Sequence, residues 1–214
     1  ALIAAGVDIN QANEDGVTPL SIAAQKGHHE VVQALIAAGA DINQAMNDGC
    51  TPLFIAAQKG HLDIANALIA AGADINQARK DGATPLYSAS FEGHLDIVKA
   101  LIEAGANRNK AKNNGCTPLF IAAQKGHLDV VNALIEARAD INQVVIDGST
   151  PLHIAARKGH HDIVVRLLMA ECERVDLPDS VSEELRGFIQ GTQDWTKLHY
   201  ASYLWDCELV KSIL

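Results

Sequence analysis

The chain is predicted to be an all-α solenoid of stacked helix–turn–helix units, and three features of the sequence lead there. The first is repetition: the fifteen letters GCTPLFIAAQKGHLD occur at Gly49–Asp63 and again at Gly115–Asp129. Identical elements imply identical surroundings, which a stacked array offers and a single packed core does not. The second is a fixed period. Thr-Pro-Leu starts at Thr18, Thr51, Thr84, Thr117 and Thr150, every 33 residues, and Gly-His follows at Gly27, Gly60, Gly93, Gly126 and Gly159. The third is composition: of the 214 residues 48% are hydrophobic but only 4% aromatic. The apolar content is therefore mostly Ala, Ile, Leu and Val, which suits helices packed closely through small side chains.

Within one unit, Asn13 to Ala45, each element has its own signal. DGVTPL opens with a turn; Thr18 is placed to cap a helix, and Pro19 suits the first helical position, where the N–H it lacks has no intrahelical partner. LSIAAQK reads as a short helix carrying Leu20, Ile22, Ala23 and Ala24, and Gly27 ends it. HHEVVQALIAA is a second helix with Val31, Val32, Leu35 and Ile36 at helical spacing, followed by Gly39 as a left-handed C-cap. ADINQA is an extended link to the next turn. Alone, such a unit has nowhere to bury its apolar flank, so neighbours must stack.

Repeat two, NDGCTPLFIAAQKGHLDIANALIAAGADIN, closely resembles the ankyrin repeat, whose pattern is roughly D-G-x-T-P-L-x-x-A-A-x-x-G-H-x-x-I-V-x-x-L-L-x-x-G-A-D-x-N. The resemblance covers about residues 1–175. It implies L-shaped units, antiparallel helix pairs with β-turn fingers roughly perpendicular to them, and a curved solenoid that binds proteins on its concave side. It implies that the histidine of each unit (His28, His61, His94, His127, His160) ties loops together through backbone hydrogen bonds. It also implies that asparagines such as Asn43, Asn76 and Asn142 are hydroxylated in some organisms, each gaining one oxygen.

The expected organisation is a partial N-terminal repeat (1–12), five repeats (13–45, 46–78, 79–111, 112–144 and 145–177), an inserted segment (178–191) and a degenerate partial repeat (192–214). Ala1 aligns with Ala34, inside a second helix, and WTKLHYASYLWDCELVKSIL aligns with VTPLSIAAQKGHHEVVQALI, so the chain reads as a fragment of a longer protein. In the last unit Lys197 replaces the proline and Trp205 the glycine. Thr196 stands where the period calls for 183, and LPDSVSEELRGFIQG fills the gap. Ser180 with Glu183 forms a capping-box pair, and Val181, Leu185, Phe188 and Ile189 form one apolar stripe. A short amphipathic helix is predicted at 181–189, either covering repeat five or meeting a partner.

Several function classes are set aside. A net charge of −9 lacks the basic face that phosphate-backbone binding needs, so no nucleic-acid partner is expected. No run approaches the ~20 apolar residues of a membrane span, and no membrane partner is expected. No nucleophile elbow, phosphate loop or metalloprotease motif is present. The expectation is a non-enzyme with no cofactor and no metal. Histidines repeating once per unit lie roughly 8–10 Å apart in stacked helices, too far to share one zinc ion. Two repeats separate Cys50 from Cys116, beyond the ~7 Å reach of a disulfide, while Cys172 with Cys207 stays open. Reduced thiols and a cytoplasmic location are expected. The acids Glu30, Asp63, Asp96, Asp129 and Asp162 start second helices, where they complement the helix dipole.

The function expected is a monomeric, non-catalytic scaffold that binds another protein or peptide through its concave face and turns. The other reading is a recruitment segment of a larger enzyme or secreted bacterial-type effector. On so repetitive a scaffold, departures mark candidate contacts. PLYSASFEGH replaces PLFIAAQKGH in repeat three and brings Tyr87, Phe91 and Glu92 to the middle of the array. Phe54, Tyr87 and Phe120 share one register; they either anchor a partner or pack between neighbouring first helices. Lys26, Lys59, Lys125, Arg157 and Lys158 fall on exposed first-helix positions, and Arg79, Lys80, Lys110 and Lys112 gather with Asn113 at turns three and four. Together they form either a basic face for an acidic peptide or protein, or a solvated one. Val145 and Ile146, within VVID, put apolar residues on turn five, as a contact or as a patch under the inserted helix. Arg138 takes the C-cap place of Gly39, Gly72 and Gly105, where a left-handed non-glycine costs on the order of 1 kcal/mol, so local loosening is expected there.

Overall fold

The computed structural model describes residues 8–174. The helix expected at 181–189, the degenerate unit at 192–214, the Cys172–Cys207 pair and most of the partial first repeat lie outside these described residues. Ten helices are found among the described residues, and no strand: α1 (Pro19–Lys26), α2 (His29–Ala37), α3 (Pro52–Lys59), α4 (Leu62–Ala70), α5 (Pro85–Glu92), α6 (Leu95–Glu103), α7 (Pro118–Lys125), α8 (Leu128–Glu136), α9 (Pro151–Lys158) and α10 (His161–Arg174). The chain forms two compact units, residues 1–118 and 119–214.

Local chemistry explains where each helix starts and stops. The hydroxyl of Thr18 accepts the Ser21 N–H, that of Thr51 the Phe54 N–H and that of Thr84 the Tyr87 N–H, each at 3.1 Å. Each capping bond satisfies a donor that has no intrahelical partner and is worth about 1 kcal/mol. Thr18 and Thr150 also receive a bond back, from Ser21 Oγ and His153 Nδ1 respectively, onto their own N–H groups. First helices end at glycines in the left-handed region, Gly27 with φ 77° and Gly60 with φ 78°. These glycines have a second reason. A Cβ on Gly27 would lie 2.8 Å from the His61 ring, which sits against it and whose Nε2–H donates to the Gln25 carbonyl at 3.3 Å. His94 does the same to Gln58 and His160 to Gln124, both at 3.2 Å. The loop-tying role expected of this histidine is thus seen at three of its five positions.

Apolar faces bury in series. In the first unit α1 packs on α2 and α3, α3 on α4 and α5, and α5 on α6, while α2 packs on α4 and α4 on α6. Leu20, Leu53 and Leu86 of the first helices, and Leu68 and Leu101 of the second, are almost wholly buried. Ala24, Ala56, Ala57, Ala65 and Ala89 are buried completely, and their small side chains let the helix axes approach. In the second unit α10 packs on α8 and α9 around Val131, Leu134, Ile154 and Ile163.

Second helices close with paired bonds: Gly39 N–H donates to Ile36 O and Ala40 N–H to Leu35 O, both at 3.0 Å. This closure requires a left-handed residue, supplied by Gly39, Gly72 and Gly105 with φ of 85°, 88° and 90°. In the fourth such helix, α8, the residue is Arg138 with φ 63°, the one non-glycine with positive φ among the described residues. α10 has Glu171 at this register position and does not close there. It runs 14 residues to Arg174, against nine for α2, α4, α6 and α8.

A Cβ at Gly39, Gly72 or Gly105 would meet nothing within 4 Å, so the cost at Arg138 is conformational rather than steric. Arg138→Gly is therefore expected to raise unfolding stability by about 1 kcal/mol, read from urea titration; an unchanged or lower midpoint would show that the arginine side chain outweighs its backbone strain.

Candidate functional site

The surface that varies between units is built on the turns. Each turn closes with the same two backbone bonds. Arg79 N–H donates to Ala83 O and Gly82 N–H to Arg79 O, both at 2.8 Å; Val145 N–H donates to Ser149 O at 3.0 Å and Gly148 N–H to Val145 O at 2.9 Å. An aspartate at the third place braces the turn from within: Asp48 Oδ1 accepts the Cys50 N–H at 2.9 Å, Asp81 Oδ1 the Ala83 N–H at 3.1 Å and Asp147 Oδ1 the Ser149 N–H at 2.9 Å. In the first unit successive turns are stitched together, with Asn47 N–H donating to Asp15 O at 2.9 Å, Lys80 N–H to Asp48 O at 2.9 Å and Asn113 N–H to Asp81 O at 3.0 Å. The backbone at each tip is thus held, and the tip side chains Lys80, Asn113 and Ile146 are left exposed.

The residue just before the tip behaves differently. The Arg79 guanidinium folds back to lie 5.7 Å from the centroid of the Phe54 ring, and the Lys112 ammonium lies 5.3 Å from that of Tyr87. Asp81 joins the two cations. Arg79 Nε donates to Asp81 Oδ1 at 3.0 Å, a second guanidinium N–H bonds Oδ2, and Lys112 Nζ is 2.9 Å from Oδ2. The hydrogen bonds from Arg79, and then that from Lys112, hold the Asp81 carboxyl well below the usual carboxylate range. Cys50 lies buried nearby, its Sγ–H donating to Asp48 Oδ2 at 3.1 Å. Burial and then the Asp48 bond push its thiol up to about 12. Burial likewise pushes the Tyr87 phenol up to about 12.

This geometry corrects several sequence expectations. Phe54, Tyr87 and Phe120 are buried, none more than 8% exposed, and so have no free ring face with which to anchor a partner. Val145 is buried too; it occupies the register of Arg79 and Lys112, whose side chains turn back toward the helices. The apolar residues that turn five exposes are Val144 and Ile146, the latter 81% exposed. Nor do Arg79 and Lys112 stand as open positive charges, since Asp81 lies between them, and Lys110 Nζ donates to the Asn76 carbonyl at 2.8 Å. Exposed cations remain at Lys59 and Lys80 in the first unit and at Lys125, Arg157 and Lys158 in the second. Phe91, in α5, is 36% exposed beside exposed Glu92. Sequence reasoning passed over Asp81 because every turn but one carries an acid or its amide in an ordinary turn role; its signal was the pair of cations placed at Arg79 and, one period on, at Lys112. Val144 was passed over because alternation within a turn is not legible without the fold.

Asn43 and Asn76 also have structural work. Their side-chain carbonyls accept the N–H groups of Asp74 and Asn107, both at 2.8 Å, as Asn10 does for Asp41. Among the described residues no three of His, Cys, Asp and Glu converge as a metal ion would need. None of the described helices is long and apolar enough to cross a membrane. The arrangement presents side chains for contact and brings no nucleophile and base together.

Compared with known proteins, the chain matches the family described as "Ankyrin repeats (3 copies)" over residues 1–79, 68–145 and 138–214. No curated protein matches it.

Two outcomes follow from the turn chemistry. Asp81→Asn keeps an acceptor for Ala83 but leaves two cations unpaired, and is expected to cost about 1 kcal/mol at pH 7. The native carboxyl titrates below the ~3.9 of an unpaired aspartate, so its contribution is complete above that value and is lost as pH falls through the native one. The stability gap between parent and variant, measured in urea, is expected to be flat at neutral pH and to narrow below about pH 4. Cys50 is expected to resist iodoacetamide at pH 8 in the folded protein and to react after unfolding, seen by peptide mass; rapid labelling of the native protein would contradict its burial.

Proposed function

The chain belongs to the ankyrin repeat family, and from that premise we propose that it is a scaffold whose first helices and turn tips hold another protein or peptide. Ankyrin repeats are generally protein–protein interaction modules and typically non-catalytic. The observation that carries the reading is the placement of the departures between repeats. The turn bonds, helix caps and core leucines recur unchanged, while the exposed positions differ from unit to unit. Phe91 takes the place that Gln58 and Gln124 hold, and Ile146 the place of Asn47 and Asn113.

An exposed aromatic on a rigid helix supplies contact area at low entropic cost, the usual character of an interface anchor. In the first unit that anchor is Phe91, with Glu92, Lys59, Lys80 and Asn113 as polar contacts. In the second it is Ile146 with Val144, accompanied by Lys125, Arg157 and Lys158. The exposed lysines and arginine favour an acidic partner, and the turn cluster at Asp81 acts as the frame that holds the tips.

The test uses substitutions that neighbouring repeats already tolerate. Phe91→Gln and Ile146→Asn are expected to leave the unfolding midpoint unchanged and to weaken partner binding about tenfold or more. Affinity capture from soluble extract, followed by titration of the captured protein, reads this directly. Unchanged affinity in both variants would remove the proposed anchors.

A further inference from the structure

The face of α1 and α2 opposite α3 and α4 has the chemistry of a covered interface without the cover. Ile22 and Val31 are each 47% exposed. Their register counterparts in the next unit, Ile55 and Ile64, are 6% and 1% exposed, and that unit's helices are the ones on which α1 and α2 pack. Pro19 is exposed where Pro52 and Pro85 are buried. His28 is exposed, whereas His61 and His94 reach back to carbonyls of the preceding unit. Glu14 stands at the place from which Asn47, Lys80 and Asn113 each donate a backbone N–H backward.

One stitch of such an interface is already made. The Asn10 side-chain carbonyl accepts the Asp41 N–H at 2.8 Å, in the same register as Asn43 with Asp74 and Asn76 with Asn107. Residues 1–12, ALIAAGVDINQA, repeat residues 34–45, ALIAAGADINQA, with a single change at Val7. The link ahead of Asn13 is therefore seated as the closing loop of a unit.

We propose that the face formed by Pro19, Ile22, Val31 and His28 is one half of an inter-unit interface, and that its occupant is a helix pair of the same repeat class, belonging to the unit that residues 1–12 close. Such a pair offers what α1 and α2 offer to α3 and α4. Its first helix ends in a carbonyl within reach of the His28 ring, its turn carries a carbonyl for the Glu14 N–H, and its alanine-rich flank covers Ile22 and Val31. A second copy of the chain does not fit as well, because the Asn10–Asp41 bond already ties the position to the segment continuous with Asn13.

The experiment supplies the missing half. Fusing a copy of residues 13–33 directly ahead of Ala1 in the full chain completes one period. Amide exchange in α1 and α2 is expected to slow by about tenfold or more and the unfolding midpoint to rise. Ile22→Lys with Val31→Lys is expected to cancel that gain in the extended protein while leaving the midpoint of the original chain nearly unchanged. Three results would overturn the proposal. One is exchange in α1 and α2 that the extension does not slow. Another is a loss of stability from the double substitution that is as large in the original chain as in the extended one. The third is sedimentation of the original chain as a dimer that the double substitution dissolves, which would make a second copy the occupant.

Discussion

From Asn13 to Asn113 each unit hands polar groups to the one before it at a constant offset. A tip N–H goes to an aspartate carbonyl, a histidine ring to a glutamine carbonyl, and a link N–H to an asparagine side chain. The apolar flanks follow the same offset, because a short helix with alanines on one side and leucine on the other can bury both only between two neighbours. Shared register is thus the condition on which both halves of the stability rest. It also explains why sequence repeats so literally: a change at a register position is felt by two units.

The same condition sorts variable positions into two kinds. At the place before the tip, a long side chain lies back against the helices, so Arg79 and Lys112 reach the Phe54 and Tyr87 rings and share Asp81. Their variation is internal: it tunes how firmly one turn is bound to the next. At the tip itself and near the end of the first helix the side chain points to solvent, and variation there alters only what another molecule meets. Phe91 and Ile146 are of this second kind, and so the scaffold can carry them with its packing undisturbed. The unusual substitutions in α5 also stay consistent with burial: Ser90 is fully buried, yet its hydroxyl donates to the Leu86 carbonyl at 2.7 Å.

Much of the architecture was legible in the letters. Thr-Pro-Leu marks the start of each first helix and Gly-His its end, because capping and left-handed closure depend on residues within four positions of one another. Arg138 was recognisable as a left-handed residue for the same reason, its register being that of three glycines. The extension of α10 follows from the loss of that closing residue at Glu171.

Sequence alone therefore determined the period, the helix pairs, their caps and the class of fold, all of which arise from short-range chemistry repeated at one offset. Tertiary structure decided which of the distinctive residues face outward. Phe54, Tyr87, Phe120 and Val145 stand out in the letters as strongly as Phe91 and Ile146, yet the first four are buried and the last two exposed. The difference lies in what an adjacent unit places against each side chain, about 25 residues away for Arg79 over Phe54 and Lys112 over Tyr87. No local pattern encodes such a contact. It exists only once the units are stacked.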